Sequence, residues 1–322
     1  MRRIRLGRTD TEVSSISVGT WGHGGDKSVG GRPVGWSGHD NRQATAALRR
    51  AYELGLNHWD TADAYGDGQA ESLIGALWGD ISRDDIFLAS KVGWDPGPHR
   101  HFYDPQQIRR QLARSLSLLR TDRIDLYYFH HCNFGPGDRY LDEAIELFRR
   151  FQAEGKIRFI GLSDWKSSKV TRYAPRIDPD VVQPYRNVVD DTYRSSGLEA
   201  WVEAHDTGVA FFSPLKHGLL TGQHERPPDF DEGDHRSAIP EFQQPEALAH
   251  YRRCREKLQI RFAGQPEPVL HALVGALLSD TPTGCALVGL RRPEHAEAAA
   301  AAGEPLSGQD ARWVRDLYRK NW

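Results

Sequence analysis

The chain has 322 residues, with 42 Lys and Arg against 44 Asp and Glu. That near-neutral balance carries neither a nucleic-acid footprint nor a polybasic membrane patch. The cysteines Cys132, Cys254 and Cys285 are odd in number and form no CxxC, so they fit a reducing cytoplasm better than a disulfide framework.

The N-terminus, MRRIRLGRTD, is basic but lacks the apolar core of a signal peptide. No window approaches the roughly 20 apolar residues that span a bilayer. A hairpin is predicted over RIRLGRTDTEV, turning at residues 7–10. Strand-like runs then follow at 16–19, 56–60, 86–91, 125–130, 159–163, 181–183, 209–213 and 286–289. Between the first two, Ala44, Ala47, Leu48, Ala51 and Leu54 recur three and four apart, and Gly55 closes the helix they imply. Asp104 and Pro105 open another helix, as a cap followed by proline at the first helical position, and it carries Ile108, Leu112, Leu116 and Leu119.

Eight strand–helix alternations without a long linker predict the α/β class and a closed (β/α)8 TIM barrel, folded as one domain over residues 1–322. A doubly wound sheet is the competitor. It would be expected to carry GxGxxG after its first strand, where this chain has GTWGHGG. Three segments fall outside the repeat: the glycine-rich stretch 22–38, the proline-rich and charged stretch 223–245, and a terminal helix over 306–322. The first two are expected as long loops at the barrel's C-terminal mouth.

Side chains at the C-terminal ends of barrel strands converge on that mouth. Here those ends are Gly19, Asp60, Lys91, His130, Ser163, Gln183, Ser213 and Gly289. Any one of the polar groups could merely cap its strand in water, but Asp60, Lys91, His130 and Gln183 together read as a site. Tyr65 follows Asp60 by five residues, close enough for the turn to bring its phenol back over the mouth. A lone loop tyrosine is ordinarily packing; beside an ammonium it becomes a tunable acid. The free phenol has a pKa of about 10. Lys91, held charged by Asp60, is expected to lower that value and match the phenol to protonating a developing alkoxide. His130 would hydrogen-bond the same oxygen. The set has no acyl-transfer nucleophile and needs no metal, so a hydride must come from a cofactor.

The segments HWDTADAYG, ASKVG, DLYYFHH, GLSDW and FFSPLKHGLLTG resemble, in order, the signatures of the aldo-keto reductase superfamily, over residues 6 to about 300. The resemblance implies a (β/α)8 barrel, a nicotinamide cofactor extended across the strand ends, and reduction of a small aldehyde or ketone to an alcohol. It implies a catalytic tetrad of Asp60, Tyr65, Lys91 and His130. It further implies that Ser163 and Gln183 hold the nicotinamide carboxamide, and that Gly19, Thr20 and Trp21 line the cofactor beside Asp60. Ser213, Leu215 and the turn from Gly218 to Gly222 would straddle the pyrophosphate, and Gly289 and Arg291 would begin the adenosine-phosphate segment.

Three departures from the family pattern stand out. Asp164 replaces the usual Asn, and an ionised carboxylate still accepts from the carboxamide NH2. Phe212 replaces a ring-stacking Tyr and loses only a hydroxyl. Ala298 and Ala299 replace the Glu-Asn pair for adenine, which shifts that contact to His295 or an arginine. Arg291 and Arg292 could hold a 2′-phosphate by bidentate, charge-assisted bonds, so NADPH is expected, with NADH as the alternative.

His99, His101, His130, His131 and Cys132 would be the ligands of a metal-dependent hydrolase, but no carboxylates complete a ligand sphere, and no metal is expected. A second class is a cofactor-bound, redox-sensing accessory subunit with little turnover; such relatives tend to carry an extra N-terminal segment before the hairpin. Trp21, Trp36, Trp94, Phe102, Tyr103 and Phe134 are the candidate pocket walls. A cytoplasmic monomer without nucleic-acid or membrane partners is the expected state.

Overall fold

The computed structural model describes residues 1–29 and 32–319. Gly30 and Gly31 of the glycine-rich stretch, and residues 320–322 of the predicted terminal helix, lie outside the described residues. Strands β1 (Arg3–Arg5) and β2 (Glu12–Ser14) pair antiparallel as the expected hairpin. The barrel strands are β3 (Ile16–Gly19), β6 (His58–Asp60), β7 (Phe87–Val92), β8 (Ile124–Phe129), β9 (Ile157–Asp164), β10 (Val181–Pro184), β11 (Gly208–Phe211) and β12 (Gly284–Gly289). They pair parallel in chain order, and β12 returns to β3 to close the barrel. All eight sequence-predicted strands are present, with no end shifted by more than two residues.

Local chemistry explains the helices. In α1 (Asn41–Glu53) the Asp40 side chain accepts from the N–H groups of Arg42 and Gln43, and Ala44, Ala47, Leu48 and Ala51 are buried. In α3 (Pro105–Leu118) Asp104 accepts from the Gln106 N–H, with Pro105 in the first turn. The other helices that back the barrel are α2 (Gln69–Gly75), α4 (Leu141–Ala153), α5 (Ser167–Ile177), α6 (Thr192–Ser195), α7 (Leu198–His205), α9 (Pro268–Leu278) and α10 (Pro293–Ala300). Two more, α8 (Pro245–Arg261) and α11 (Gly308–Tyr318), lie beyond the eightfold repeat and pack on α9. Among the described residues no helix is long and apolar enough to cross a membrane.

The core has two parts. One fills the space between strands and helices; the other fills the barrel with Phe87, Ala89, Leu126, Tyr128, Val181, Ala210, Cys285 and Leu287. The hairpin's Ile4, Leu6 and Val13 join this inner cluster and plug the barrel's bottom. Gly161 is required by that filling, because a Cβ there would lie 2.1 Å from the Tyr128 ring. The bottom is therefore sealed, and only the strands' C-terminal ends remain open for a site.

The two insertions meet above that open end. The first forms a short ribbon of β4 (Ser28–Val29) and β5 (Arg32–Pro33), and Gly35 bridges Asp234 of the second. The Asp234 carboxylate accepts from both N–H (2.8 Å) and Oγ (2.7 Å) of Ser37, and Arg236 pairs with it.

Candidate active site

Strand register sets the site before any side chain is considered. Asp60 on β6 lies opposite Gly19 on β3 and Ala89 on β7, while Gln183 on β10 lies opposite Ser163 on β9. Lys91 ends the inward run of β7, and the His130 N–H bonds back to the Val92 carbonyl at 2.9 Å. Four of the expected groups thus rise to one level at the mouth.

There they form a chain. The Lys91 ammonium is fully buried and donates to Asp60 Oδ1, to the Thr61 carbonyl (2.7 Å) and to the Tyr65 hydroxyl (3.3 Å). Gln183 Nε2 donates to the second Asp60 oxygen at 2.8 Å. The His130 ring stands edge-on to Tyr65 with centroids 5.9 Å apart, and its Nδ1 is buried without a hydrogen-bond partner. Trp21 stacks parallel to Tyr65 at 6.2 Å.

The electrostatics differ from expectation at one point. Burial raises the Tyr65 phenol above its ordinary pKa; Lys91 opposes this shift without cancelling it. The expected net lowering is therefore corrected: in this state Tyr65 is a protonated acid, and the ammonium limits the penalty of making the phenolate. Lys91 itself is raised, because Asp60 and Tyr65 outweigh its own desolvation. Burial, followed by Lys91 and His131, holds His130 well below its usual range, so its imidazole is neutral.

The other expected site residues divide into tied and free groups. Ser163 Oγ donates to the Gln183 carbonyl at 2.9 Å. Both Asp164 oxygens already accept backbone N–H groups, from Cys132 (2.8 Å) and Lys166 (2.9 Å), so this residue ties the β8 and β9 loops together. Phe212 packs under the edge of Trp165 at 4.9 Å. Thr20 is buried and its Oγ1 donates to the Asp60 carbonyl at 2.9 Å. Leu215 is half-buried against the core, and Ser213 adopts φ 57°. Gly218 (φ 91°) and Gly289 each face open space, where an added Cβ would meet nothing within 4 Å.

Beyond β12, a polar cleft of about 390 Å3 is lined by Gly22, His23, Asp40, Gln43, Arg291 and Arg292, among others. Arg291 is not free in it: its guanidinium donates to the Ser37 carbonyl (2.5 Å) and to that of Gly38. Arg292 is exposed and makes no ion pair among the described residues. His295 accepts the Arg291 N–H at 3.2 Å and so orders the entry to α10. Ala299 is fully buried, so that position faces packing in this chain.

The pocket walls also need correction. Tyr103 and Phe134 are buried and stack on each other in the core, and the Tyr103 hydroxyl donates to the His131 carbonyl at 2.6 Å. Trp94 does stand at the mouth, 51% exposed and edge-on to His130 at 5.8 Å. Sequence reasoning missed Trp165, which is 41% exposed and near Trp21 and Phe212; its place directly after the fifth barrel strand was the available signal. It also missed His217 and His235, whose rings lie 4.9 Å apart and pack against Trp21. Among the described residues no three His, Cys, Asp or Glu side chains converge to hold a metal ion.

The described residues fit a nicotinamide dinucleotide. The His130 ring stands beside Tyr65, Gly218 and Gly289 leave room along the mouth, and the exposed Arg292 lines the cleft beyond.

Comparison with known proteins agrees with this architecture. A model of the aldo/keto reductase family matches residues 15–319. An aldo-keto reductase of Bacillus subtilis, YhdN, is 27% identical, with 98% of this chain and 93% of the relative covered. An NADH-specific methylglyoxal reductase of Escherichia coli is 30% identical over 69% of this chain and 70% of its own length. The structure of a glycerol dehydrogenase from Gluconobacter oxydans matches with a TM-score of 0.80 at 26% identity, over 98% of this chain and 94% of that one.

Proposed function

The chain belongs to the aldo/keto reductase family, and from that premise we propose that it reduces an aldehyde or ketone to the alcohol, with Tyr65 as proton donor. The observation that carries this reading is the buried Asp60–Lys91–Tyr65 chain ending beside the neutral His130 ring. A bound nicotinamide supplies the hydride. The protein's own residues do the rest. His130, neutral at working pH, donates a hydrogen bond to the substrate oxygen and aligns it with the phenol. Tyr65 passes its proton from Oη to that oxygen as charge develops, and the Lys91 ammonium stabilises the phenolate left behind. Asp60 keeps Lys91 charged and aimed, and Gln183 fixes the other face of Asp60.

Ser163, Asp164, Gln183 and Phe212 would surround the nicotinamide, with Gly19, Thr20 and Trp21 beside it. Ser213, Leu215 and Gly218 would follow the pyrophosphate, and Gly289, Arg291, Arg292 and His295 the adenosine end. The free Arg292 supports NADPH. The three cysteines are buried and unpaired, which supports a reducing, cytoplasmic setting. The exposed indoles of Trp94 and Trp165 favour an uncharged carbonyl with a flat apolar face.

The test is cofactor oxidation over a panel of aldehydes, ketones and sugars, with methylglyoxal as the first probe. Tyr65→Phe should lower turnover by at least about a thousandfold while cofactor affinity changes by less than about twofold. A Tyr65→Phe enzyme with wild-type turnover would exclude this acid.

A further inference from the structure

The geometry points to Asp63 as a positioning residue for the acid: through Gln111 it fastens the outer side of the turn that carries Tyr65. This inference rests on the proposed role of Tyr65.

The inner side of that turn is stitched to β7 by backbone bonds. Thr61 N–H donates to the Ala89 carbonyl (2.9 Å), and Asp63 N–H donates to the carbonyl of Lys91 itself (3.3 Å). On the outer side, Lys27 reaches the Ala64 carbonyl at 3.5 Å, and the turn's own buried anchor is the Asp63 side chain. Asp63 is buried, and its Oδ2 accepts from Gln111 Nε2 on α3 at 3.0 Å. The same Gln111 nitrogen reaches Asp95 Oδ2 at 3.2 Å, in the loop after β7. Gln107, Gln111 and Ser115 lie four apart along α3 and are all buried, a polar stripe on a face that a helix normally gives to the apolar core. Opposite the stripe, Glu71 of α2 is fully buried and accepts from Ser90 Oγ on β7 at 2.6 Å.

This chamber is costly. Asp63 Oδ1 and Glu71 Oε2 make no well-formed hydrogen bond, with only the Ala64 N–H and the Ser115 hydroxyl near their carboxyls, and neither carboxyl has an ion pair among the described residues. A buried, half-satisfied carboxyl is worse for stability than an apolar group of the same size, so stability alone does not account for Asp63. Its location does. It stands between Asp60 and Tyr65 on a single short turn, with its own N–H on the strand end that delivers Lys91. Burial, with Glu71 and Asp95 adding repulsion, pushes its carboxyl well above the usual range. Toward Gln111 it serves as a hydrogen-bond acceptor, a role that an amide oxygen mimics and a methyl does not.

The experiment compares Asp63→Asn, Asp63→Ala and Gln111→Leu; the last leaves Asp63 untouched should the alanine variant fold poorly. Two readouts are taken: kcat against KM and cofactor Kd, corrected for folded fraction, and hydrogen exchange of the Asp63 and Tyr65 amides. Asp63→Ala and Gln111→Leu should lower kcat at least about tenfold, because small displacements of a reacting group cost that much or more. KM and cofactor Kd should stay within about twofold, and exchange at the two amides should rise at least about tenfold. Asp63→Asn should restore kcat to within about threefold and keep the amides protected. Unchanged kcat and exchange in Gln111→Leu, or an Asn variant as impaired as the Ala variant, would overturn the proposal. If the wild-type protein reduces no carbonyl, the functional reading fails, while amide exchange still decides whether Asp63 holds the turn.

Discussion

Replacing Lys91 with Met probes the site and the fold at once. The ammonium makes three bonds in a fully buried position: to Asp60, to the Thr61 carbonyl at 2.7 Å and to Tyr65 at 3.3 Å. Its bond to a Tyr65 phenolate is of the charged kind, worth about 1.5–3 kcal/mol. Losing it raises the phenol further, and at about 1.4 kcal/mol per tenfold in rate the proton-transfer step should slow roughly 10- to 100-fold.

The stability effect is separate. Asp60 would keep only Gln183 as a side-chain donor, and stranding a buried carboxylate costs about 3–5 kcal/mol. Its pH dependence has a definite sign. In the wild type Lys91 is raised above 10.5, so the pair's contribution is intact below that pH and is lost as pH rises through the folded value. In Lys91→Met the carboxyl of Asp60, already raised by burial, is raised further. A carboxyl that is harder to ionise when folded penalises the folded state increasingly as pH rises from its unfolded pKa to its folded one. The variant's deficit should therefore be small near pH 4 and grow as pH rises. Single-turnover cofactor oxidation measures the first effect, and thermal melts at several pH values measure the second. Turnover within threefold of wild type, or a melting deficit that does not grow between pH 4 and pH 8, would refute the arrangement described.

The cleft beyond β12 gives a second contrast. Arg292→Ala should weaken NADPH binding at least about tenfold with little effect on NADH, as loss of a charge-assisted phosphate contact requires; equal losses in titrations of the two cofactors would remove the 2′-phosphate assignment. Arg291→Ala should also lower thermal stability, because its guanidinium holds the Ser37 and Gly38 carbonyls of the first insertion. Asp164→Asn, although it restores the family's usual residue, should destabilise by about 1–2 kcal/mol. An amide has one acceptor oxygen, where this carboxylate serves two backbone N–H groups; a denaturation midpoint equal to wild type would show that the loops do not depend on it.

Much of this protein was legible from local pattern. The eight strands, the caps at Asp40 and Asp104 and the spacing from Asp60 to Tyr65 depend on neighbours a few residues away. A parallel barrel then brings strand ends to one rim, so Asp60, Lys91, His130 and Gln183 could be placed together without coordinates. Contacts between distant segments were not legible in this way. Asp234 meets Ser37 across 197 residues, and that contact draws the two insertions together and presents the carbonyls that engage Arg291. The buried stripe of Gln107, Gln111 and Ser115 was invisible to a reading that counts apolar residues at helical spacing, because its partners Asp63 and Glu71 lie on other elements. Tyr103 and Phe134 looked like pocket walls from their place after strands, yet tertiary packing turned both inward. The acidity of Tyr65 shows the division most clearly: the sequence by itself determined that an ammonium would stand beside the phenol. Only the tertiary structure decided how far both are withdrawn from water, and at this site the desolvation of the phenolate exceeds the attraction of the charge.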